Sequence, residues 1–251
     1  MRIERHGPVV RLVLDSPHNR NALSERLLGE LTGALGEIGG DREVRAVILT
    51  AEGPVFCSGA DLTERLADPG RGPRSTLPDV LDAIVHLAQP VVAEVNGHAR
   101  AGGLGLIAAC DLAVAPTSAT FAFSEVRVGV TPAIIAVPAL RVMTRRSFAR
   151  YALTGESFSA HEARAAGLLT ATVDATEIDD WVNEIIDSFL RSSPAAVGLT
   201  KQLFEVVWEQ DWDQAVRTAA GLSAEAFAGA DAREGIDAFL AKRQPSWVTE
   251  R

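Results

Sequence analysis

The sequence predicts an α/β fold, because apolar strands and amphipathic helices alternate through its first half. Residues 9–14 have the pattern of a strand, helical spacing follows as far as Ile38, and residues 44–51 form a second, buried strand. A further cycle of helix, strand, short helix and strand extends to Val114. Beyond Thr131-Pro132 the strand pattern fades and helices dominate, which predicts an α/β core followed by a helical region.

The first helix has recognisable ends. Ser24 is a good N-cap residue, and Gly39-Gly40 interrupts the helical pattern at the other end. Between them, apolar residues recur at intervals of three and four, namely Leu27, Leu28, Leu31, Leu35 and Ile38. This spacing is typical of a helix that covers one face of a sheet.

The second cycle consists of a helix at residues 80–87, a strand at 91–95, a short helix at 104–110 and a strand at 112–114. The segment before it, residues 67–78, contains Pro69-Gly70-Arg71-Gly72-Pro73 and is predicted to be a loop. Because loops of this kind often border functional sites, we expect it to act as a lid.

The last third of the chain is predicted to be mainly helical. Ser159 and Glu162 have capping-box spacing and begin a helix that ends at Gly167, and residues 169–173 form a short strand. An apolar stripe follows at Ile178, Trp181, Val182, Ile185 and Phe189, and residues 197–208 supply another. These stripes indicate packing on the protein's own core, and a subunit interface can share the same helices.

Composition limits the classes of function. With 251 residues, of which 47% are apolar, the chain can bury a large core. The net charge of −9 argues against a nucleic-acid partner, since the basic residues are scattered. No apolar run approaches the roughly 20 residues that span a bilayer, and the N-terminus lacks a signal-peptide pattern. Cys57 and Cys110 lie in apolar stretches, as expected of reduced thiols. We therefore expect a cytoplasmic protein without a membrane partner.

Two runs of small residues predict an oxyanion hole. Residues 56–61 and 96–103 each follow an apolar, strand-like segment and leave backbone N–H groups uncovered. Donors from two such loops can converge on one negatively charged oxygen. Downstream, Glu125 follows Phe121-Ala122-Phe123, an apolar setting in which burial raises the pKa of a carboxyl group toward the range of a general base. Donors and a base together indicate enolate chemistry.

Other catalytic motifs fit less well. Residues 103–108 match G-x-G-x-x-A, with Glu125 about 20 positions on, but a long loop separates the preceding strand from Gly103. Ser58 lacks the glycine that precedes a nucleophile-elbow serine. The five histidines are widely separated, so we expect no metal site, and His98 is interpreted as a structural residue.

With these motifs in order, the sequence resembles the crotonase (enoyl-CoA hydratase/isomerase) superfamily over nearly its whole length. Residues 16–23 resemble the family's first CoA-facing turn, and Cys57-Ser58-Gly59-Ala60-Asp61-Leu62 its first oxyanion loop. Residues 96–103 and 110–113 are similar to the second loop. Further similarity lies at residues 153–155, 162–168 and 234–247.

The resemblance implies a spiral core of ββα units, residues 1–192, and a C-terminal helical region, 193–251, that mediates homotrimers, often paired into hexamers. The N–H groups of Ala60 and Gly102 would bind the thioester carbonyl of an acyl-CoA, with Glu125 as the catalytic carboxylate. CoA is then part of the substrate, and no separate cofactor is expected. Asp61 is expected to cap the helix that follows it. The residues expected along the acyl-CoA are Arg20, Ala22, Ser58, Ala60, Asp61, Leu62, Gly102, Gly105 and Lys242.

One position departs from the family's pattern. Hydratases of the family use two glutamates, and Gly105 stands where the first is expected. A single carboxylate suits a Δ3,Δ2-enoyl-CoA isomerase. Yet residues 103–107 with residues 123–133 resemble a subgroup that hydrates branched or carboxylated enoyl-CoAs, such as methylglutaconyl-CoA. We therefore expect an enoyl-CoA hydratase, with an isomerase and a non-catalytic acyl-CoA-binding protein as alternatives.

Overall fold

The computed structural model describes residues 1–67 and 76–248. The predicted lid, centred on Pro69-Gly70-Arg71-Gly72-Pro73, lies outside the described residues. The described strands are β1 (Arg2–His6), β2 (Val9–Leu14), β3 (Ala46–Ala51), β4 (Val55–Cys57), β5 (Val91–Glu94), β6 (His98–Arg100), β7 (Leu112–Pro116), β8 (Thr120–Ala122), β9 (Phe158–Ser159) and β10 (Ala171–Val173).

The described helices match the predicted alternation with strands. They are α1 (Glu25–Gly40), α2 (Leu62–Ala67), α3 (Leu77–His86), α4 (Gly102–Ala109), α5 (Ala133–Val142), α6 (Arg145–Thr154), α7 (Ala160–Ala166), α8 (Ile178–Arg191), α9 (Pro194–Glu209), α10 (Trp212–Ala228) and α11 (Ala230–Leu240). A short 3-10 helix at Ser124–Val128 carries the predicted catalytic carboxylate. Within the described ranges, no helix combines the length and the apolar character that a membrane crossing requires.

Two sheets form the core. The first has the order β1-β2-β3-β5-β7-β10, in which β1 and β2 are antiparallel and the other neighbours are parallel. The second has the order β4-β6-β8-β9. Three consecutive strand pairs, β3 with β4, β5 with β6 and β7 with β8, each place one strand in each sheet. This repetition is the predicted spiral of ββα units.

Helix α1 confirms the sequence pattern. The Ser24 hydroxyl accepts a hydrogen bond from the N–H of Leu27 at 3.2 Å, and the apolar residues of the predicted stripe are buried. On the other face of the first sheet, Val182 and Ile186 of α8 are fully buried against Ile48 and Val92. The α8 stripe therefore packs on the protein's own core, as predicted.

The C-terminal helices begin with a firm attachment to the core. The Lys201 ammonium of α9 is buried and donates hydrogen bonds to Asp111 Oδ2 at 2.8 Å and to the Ile84 carbonyl at 3.0 Å. By contrast, α10 has no buried residue among those described, and α10 and α11 expose large apolar side chains. The most exposed are Trp212, Phe227, Phe239 and Leu240. The division of the chain at residue 192 stays a prediction.

Several elements differ from the sequence-based prediction. The strands of the second sheet are two or three residues long, which is too short for an alternating pattern to be recognised. Helix α4 begins at Gly102 instead of 104, because the glycines of the loop form its first turn.

Cys57 and Cys110 are both buried and free, as expected, and burial raises the pKa of the Cys57 thiol to about 12.

Candidate active site

A cavity of about 290 Å³ lies where the two small-residue loops meet. Both loops line it, with Ala60 from the first and Gly102 from the second. Glu125 lines the same cavity and is its only ionisable group among the described residues. The rest of the lining is mainly apolar and comprises Leu23, Leu28, Ser58, Leu62, Leu77, Ala101, Ser124, Val128, Val130, Thr131, Pro132, Ala133, Ile134 and Ile135. The structure thus brings together the three residues predicted to be catalytic.

The first loop is held by backbone hydrogen bonds to the turn before α1. The N–H of Ser58 donates to the Arg20 carbonyl at 3.1 Å, and the N–H of Leu23 donates to the Gly59 carbonyl at 2.8 Å. The N–H of Asp61 completes the bridge to the Leu23 carbonyl at 3.3 Å. The N–H of Ala60 has no acceptor in the part of the chain that the structure describes. It is therefore available to a ligand oxygen.

Asn21 fixes the turn that supports this loop. Its side chain is fully buried, and its φ of 54° lies in the left-handed region that asparagine tolerates. Asn21 Oδ1 accepts from the N–H of Ser16 at 2.8 Å, and Nδ2 donates to the carbonyls of Glu52 and Val55 at 2.9 and 2.8 Å. The turn is thereby joined to the ends of β3 and β4. The sequence prediction included Asn21 in the CoA-facing turn but missed this supporting role.

The second loop presents its donor through a strained residue. Ala101 has φ 48° and ψ −120°, a conformation that costs on the order of 1–3 kcal/mol for a residue with a side chain. The N–H of Ala101 donates to the Ala122 carbonyl at 3.0 Å, which holds the loop beside β8. Gly102 follows as the first residue of α4, and no described residue accepts a hydrogen bond from its N–H.

The two loops contact each other directly. Gly59 has φ +93°, and a Cβ at this position would lie 2.7 Å from the Cβ of Ala101. A Cβ on Gly102 would lie 2.7 Å from Cδ1 of Leu23, which belongs to the supporting turn. Glycine is required at position 59, where φ is positive and the contact is with a Cβ atom, whereas a side chain at position 102 would require the end of the Leu23 side chain to move. The small residues seen in the sequence therefore permit the loops to meet.

Glu125 faces the cavity with an unsatisfied oxygen. Its Oε2 atom is buried and has no hydrogen-bond partner among the described residues. Burial raises the pKa of the Glu125 carboxyl above its ordinary value. The 3-10 helix that carries it closes through the left-handed Gly129, and the N–H of Val130 donates to the Glu125 carbonyl at 3.1 Å. A carboxylate held in this way is suited to accept a proton from a ligand or a water molecule.

Gly105 does not line the cavity, contrary to its place among the predicted acyl-CoA residues. It lies inside α4, and the buried side chain of Ile135 covers it. A Cβ at position 105 would lie 2.5 Å from Cγ2 and 2.9 Å from Cβ of Ile135. An apolar side chain from α5 thus occupies the space beside the position where the family's first glutamate is expected.

The remaining predicted residues fall into two groups. Ser58 and Leu62 line the cavity, while Ala22 is buried in the supporting turn. Asp61 caps α2, as predicted, because its Oδ1 accepts from the N–H groups of Thr63 and Glu64 at 3.0 and 3.3 Å.

Two predicted cations lie outside the cavity lining. Arg20 and Lys242 are exposed, and both have left-handed backbone conformations, with φ values of 57° and 53°.

His98 accepts a hydrogen bond from the N–H of Thr120 at 3.1 Å, in agreement with a structural role.

Several lining residues were missed by sequence reasoning. Leu28, Leu77 and Val128 come from α1, the start of α3 and the 3-10 helix. Their apolar character could have been read, but only the tertiary structure shows that these segments meet. The assembled site combines two unpaired N–H donors with one desolvated carboxylate, which is the equipment for forming and protonating an enolate.

Comparisons with known proteins agree with this chemistry. The family model described as enoyl-CoA hydratase/isomerase matches residues 4–250. The chain is 36% identical to enoyl-CoA hydratase domain-containing protein 3, mitochondrial, of Danio rerio over 97% of this chain and 86% of that protein. It is 31% identical to the short-chain-enoyl-CoA hydratase of Clostridium acetobutylicum, over 96% of this chain and 95% of that one. The crystal structure of an enoyl-CoA hydratase from Mycobacterium smegmatis matches with a TM-score of 0.94 at 38% identity, covering 99% and 98% of the two chains.

Proposed function

The chain belongs to the enoyl-CoA hydratase/isomerase family, and we propose that it adds water across the double bond of a 2-enoyl-CoA. The observation that carries the proposal is the cavity in which the unpaired N–H groups of Ala60 and Gly102 share a wall with Glu125. Two donors and one base are the minimum that hydration through a thioester enolate requires.

The donors of Ala60 and Gly102 act on the thioester carbonyl oxygen. When the oxygen of water bonds to C3, the π electrons of the C2=C3 double bond form a C1=C2 bond. The π electrons of the carbonyl group move onto its oxygen, which becomes negatively charged. Both N–H groups then donate to that oxygen, and each such donor contributes roughly 3–4 kcal/mol to transition-state stabilisation in enzymes of this kind.

Glu125 carries out both proton transfers. Its carboxylate takes a proton from the attacking water and afterwards gives that proton to C2, which restores the carboxylate and the neutral thioester. One carboxylate can therefore complete the reaction, provided that C2 and C3 turn the same face of the double bond toward Glu125. Ser124 and Thr131 line the same cavity, and we assign their hydroxyl groups the role of holding the water.

Isomerisation is the second candidate because Glu125 is the only ionisable group among the described lining residues. A single carboxylate can remove a proton from C2 of a 3-enoyl-CoA and return it to C4. Ile135 strengthens this alternative, since it fills the region beside Gly105 where a second acid is expected.

The two reactions change the absorbance of the conjugated thioester in opposite directions. Hydration of crotonyl-, 3-methylcrotonyl- or methylglutaconyl-CoA removes the absorbance of the conjugated thioester, whereas isomerisation of a 3-enoyl-CoA creates it. We expect absorbance loss that the Glu125→Gln variant lacks and that the surface variant Glu43→Gln keeps. Absence of loss with all three substrates would refute hydration. Tight acyl-CoA binding without either reaction would identify a binding protein.

We also propose that the protein acts as a homotrimer or as a hexamer of paired trimers. Support comes from α10 and α11, whose large apolar side chains, such as Trp212 and Phe239, are about four-fifths exposed in the single chain. Exposed apolar surface of this kind is typical of an interface. A molar mass of one chain by light scattering would contradict the proposal.

Recognition of the CoA phosphates is assigned to Arg20 and Lys242 as part of the same proposal. Both side chains are exposed, and Arg20 lies in the turn that supports the first oxyanion loop. Lys242 is available to act across a subunit boundary. We expect Arg20→Gln and Lys242→Gln to raise KM for acyl-CoA and to leave kcat nearly unchanged; unchanged KM in both variants would contradict the assignment. A cytoplasmic location remains part of the proposal.

A further inference from the structure

Two consecutive isoleucines of α5 have different surroundings. Ile135 also lines the catalytic cavity, but it is 2% exposed and packs over Gly105, so most of its side chain belongs to the core. Ile134 is 45% exposed and lines the catalytic cavity. The stretch that follows Pro132 therefore holds one packing residue and one residue whose side chain is largely free of the core.

Ile134 also borders a second, mainly apolar space. A groove of about 360 Å³ lies between α3 and α5, and its apolar lining includes Leu81 and Val85 from α3 and Val137 and Pro138 from α5. Its polar lining consists of Asp82, His86 and Arg141. Ile134 is the one described residue that lines both this groove and the catalytic cavity. Its side chain thus stands in the wall that separates the two spaces.

We infer that Ile134 sets the upper limit on acyl-chain length. The inference rests on the proposed function, because it places an acyl thioester in the catalytic cavity with its carbonyl at Ala60 and Gly102. A short acyl group ends at Ile134, and a longer chain needs the groove beyond it. The preferred substrates are accordingly 2-enoyl-CoAs with short acyl chains.

The physical reason is the gain from burying methylene groups. Each methylene that enters an apolar environment improves binding by roughly fourfold. Removing the Ile134 side chain beyond Cβ joins the two spaces and allows the terminal methylenes of a long chain to reach Val137 and Leu81. Short chains do not extend that far, so their binding should change little.

The test compares substrates of increasing length in matched variants. We expect Ile134→Ala to raise the ratio of kcat/KM for 2-decenoyl-CoA to that for crotonyl-CoA by at least about tenfold. The control is Ile3→Ala, which removes the same atoms from a 54% exposed isoleucine on β1, away from both spaces. An unchanged ratio in Ile134→Ala, or an equal change in Ile3→Ala, would overturn the inference.

A second variant tests the route of the chain. Adding Val137→Trp to Ile134→Ala fills the groove again and should abolish the gain for long chains while crotonyl-CoA turnover persists. If the gain survives, the long chain follows another path and the inference fails.

Binding separates this inference from the proposed function. Calorimetric Kd values for butyryl- and decanoyl-CoA require no turnover, and Ile134→Ala should shift their ratio toward decanoyl-CoA. A shifted ratio in a protein without hydratase activity would support the role of Ile134 and reject hydration. Active hydration with unshifted rate and binding ratios would do the reverse.

Discussion

The contact between Gly105 and Ile135 makes a quantitative prediction about stability. In Gly105→Ala, the new Cβ lies 2.5 Å from Cγ2 and 2.9 Å from Cβ of Ile135, which are the branch methyl group and the branch point of a buried side chain. Overpacking of this kind typically costs about 1–3 kcal/mol. Alanine is favoured over glycine in a helix by about 1 kcal/mol. We expect the free energy of unfolding to fall by up to about 2 kcal/mol, where Gly→Ala in a helix with free space would raise it by about 1 kcal/mol.

The partner substitution allows the contact itself to be measured. Ile135→Ala leaves a cavity at a position that is 2% exposed, and we expect a loss of about 2–5 kcal/mol. In the double variant Gly105→Ala/Ile135→Ala, the atom at 2.5 Å is absent, the contact with Cβ at 2.9 Å remains, and the new methyl group fills part of the cavity. The double variant should therefore be more stable than the sum of the single effects predicts, by about 1 kcal/mol.

Urea unfolding, followed by far-ultraviolet circular dichroism, gives the stability of the wild type, the two single variants and the double variant. Gly33→Ala in α1 is the matched control, because a Cβ there meets nothing within 4 Å and only the helix preference remains. Additive single effects, or a Gly105→Ala variant as stable as Gly33→Ala, would refute the reasoning. The same contact implies that the side chain introduced by Gly105→Glu fits only when Ile135→Ala is made as well.

Three further outcomes are expected. Because burial raises the pKa of the Glu125 carboxyl and the carboxylate is the reactive form, kcat/KM should fall toward acid with a midpoint above pH 4.5, and Glu125→Gln should lower it at least about 100-fold; a midpoint at or below pH 4.5 would argue against a desolvated base. Lys201→Met should lower the free energy of unfolding by about 3–5 kcal/mol, since Asp111 loses its buried counter-charge, and urea midpoints equal to wild type would contradict this. Ala101→Gly should raise the free energy of unfolding by about 1 kcal/mol, because glycine adopts the positive φ without strain but loses more backbone entropy on folding than alanine does. A lower urea midpoint would show that the conformation is not strained.

The long elements of the fold could be predicted from local patterns. Ser24 and the leucine spacing predicted α1, and Ser159 with Glu162 predicted the capping box of α7, which the structure shows. The strands of the second sheet could not be predicted, because strands as short as β9, Phe158–Ser159, owe their conformation to pairing with distant segments. The crotonase-like α/β fold expected from the family motifs is confirmed by the match to solved structures.

The candidate site was predictable to the same extent. The runs of small residues pointed to Ala60 and Gly102, since closely approaching backbones require small side chains. The cover that Ile135 places on Gly105 could not be predicted, because it depends on how α5 packs against α4. The roles of Asn21 and Ile134 depend likewise on contacts between segments far apart in the sequence.

The ion pair between Lys201 and Asp111 bears on how the protein folds during synthesis. The two residues are 90 positions apart, and at about 5–20 residues per second a ribosome needs roughly 5–20 seconds to make the chain between them. Throughout that interval the residues of β5 and β7 have been made, but the Asp111 carboxylate, which accepts a hydrogen bond from the N–H of Val91 in β5, lacks its Lys201 counter-charge. The first sheet is therefore expected to reach its final stability only after α9 has left the ribosome, and nascent chains that end before Lys201 should be cleaved readily by protease.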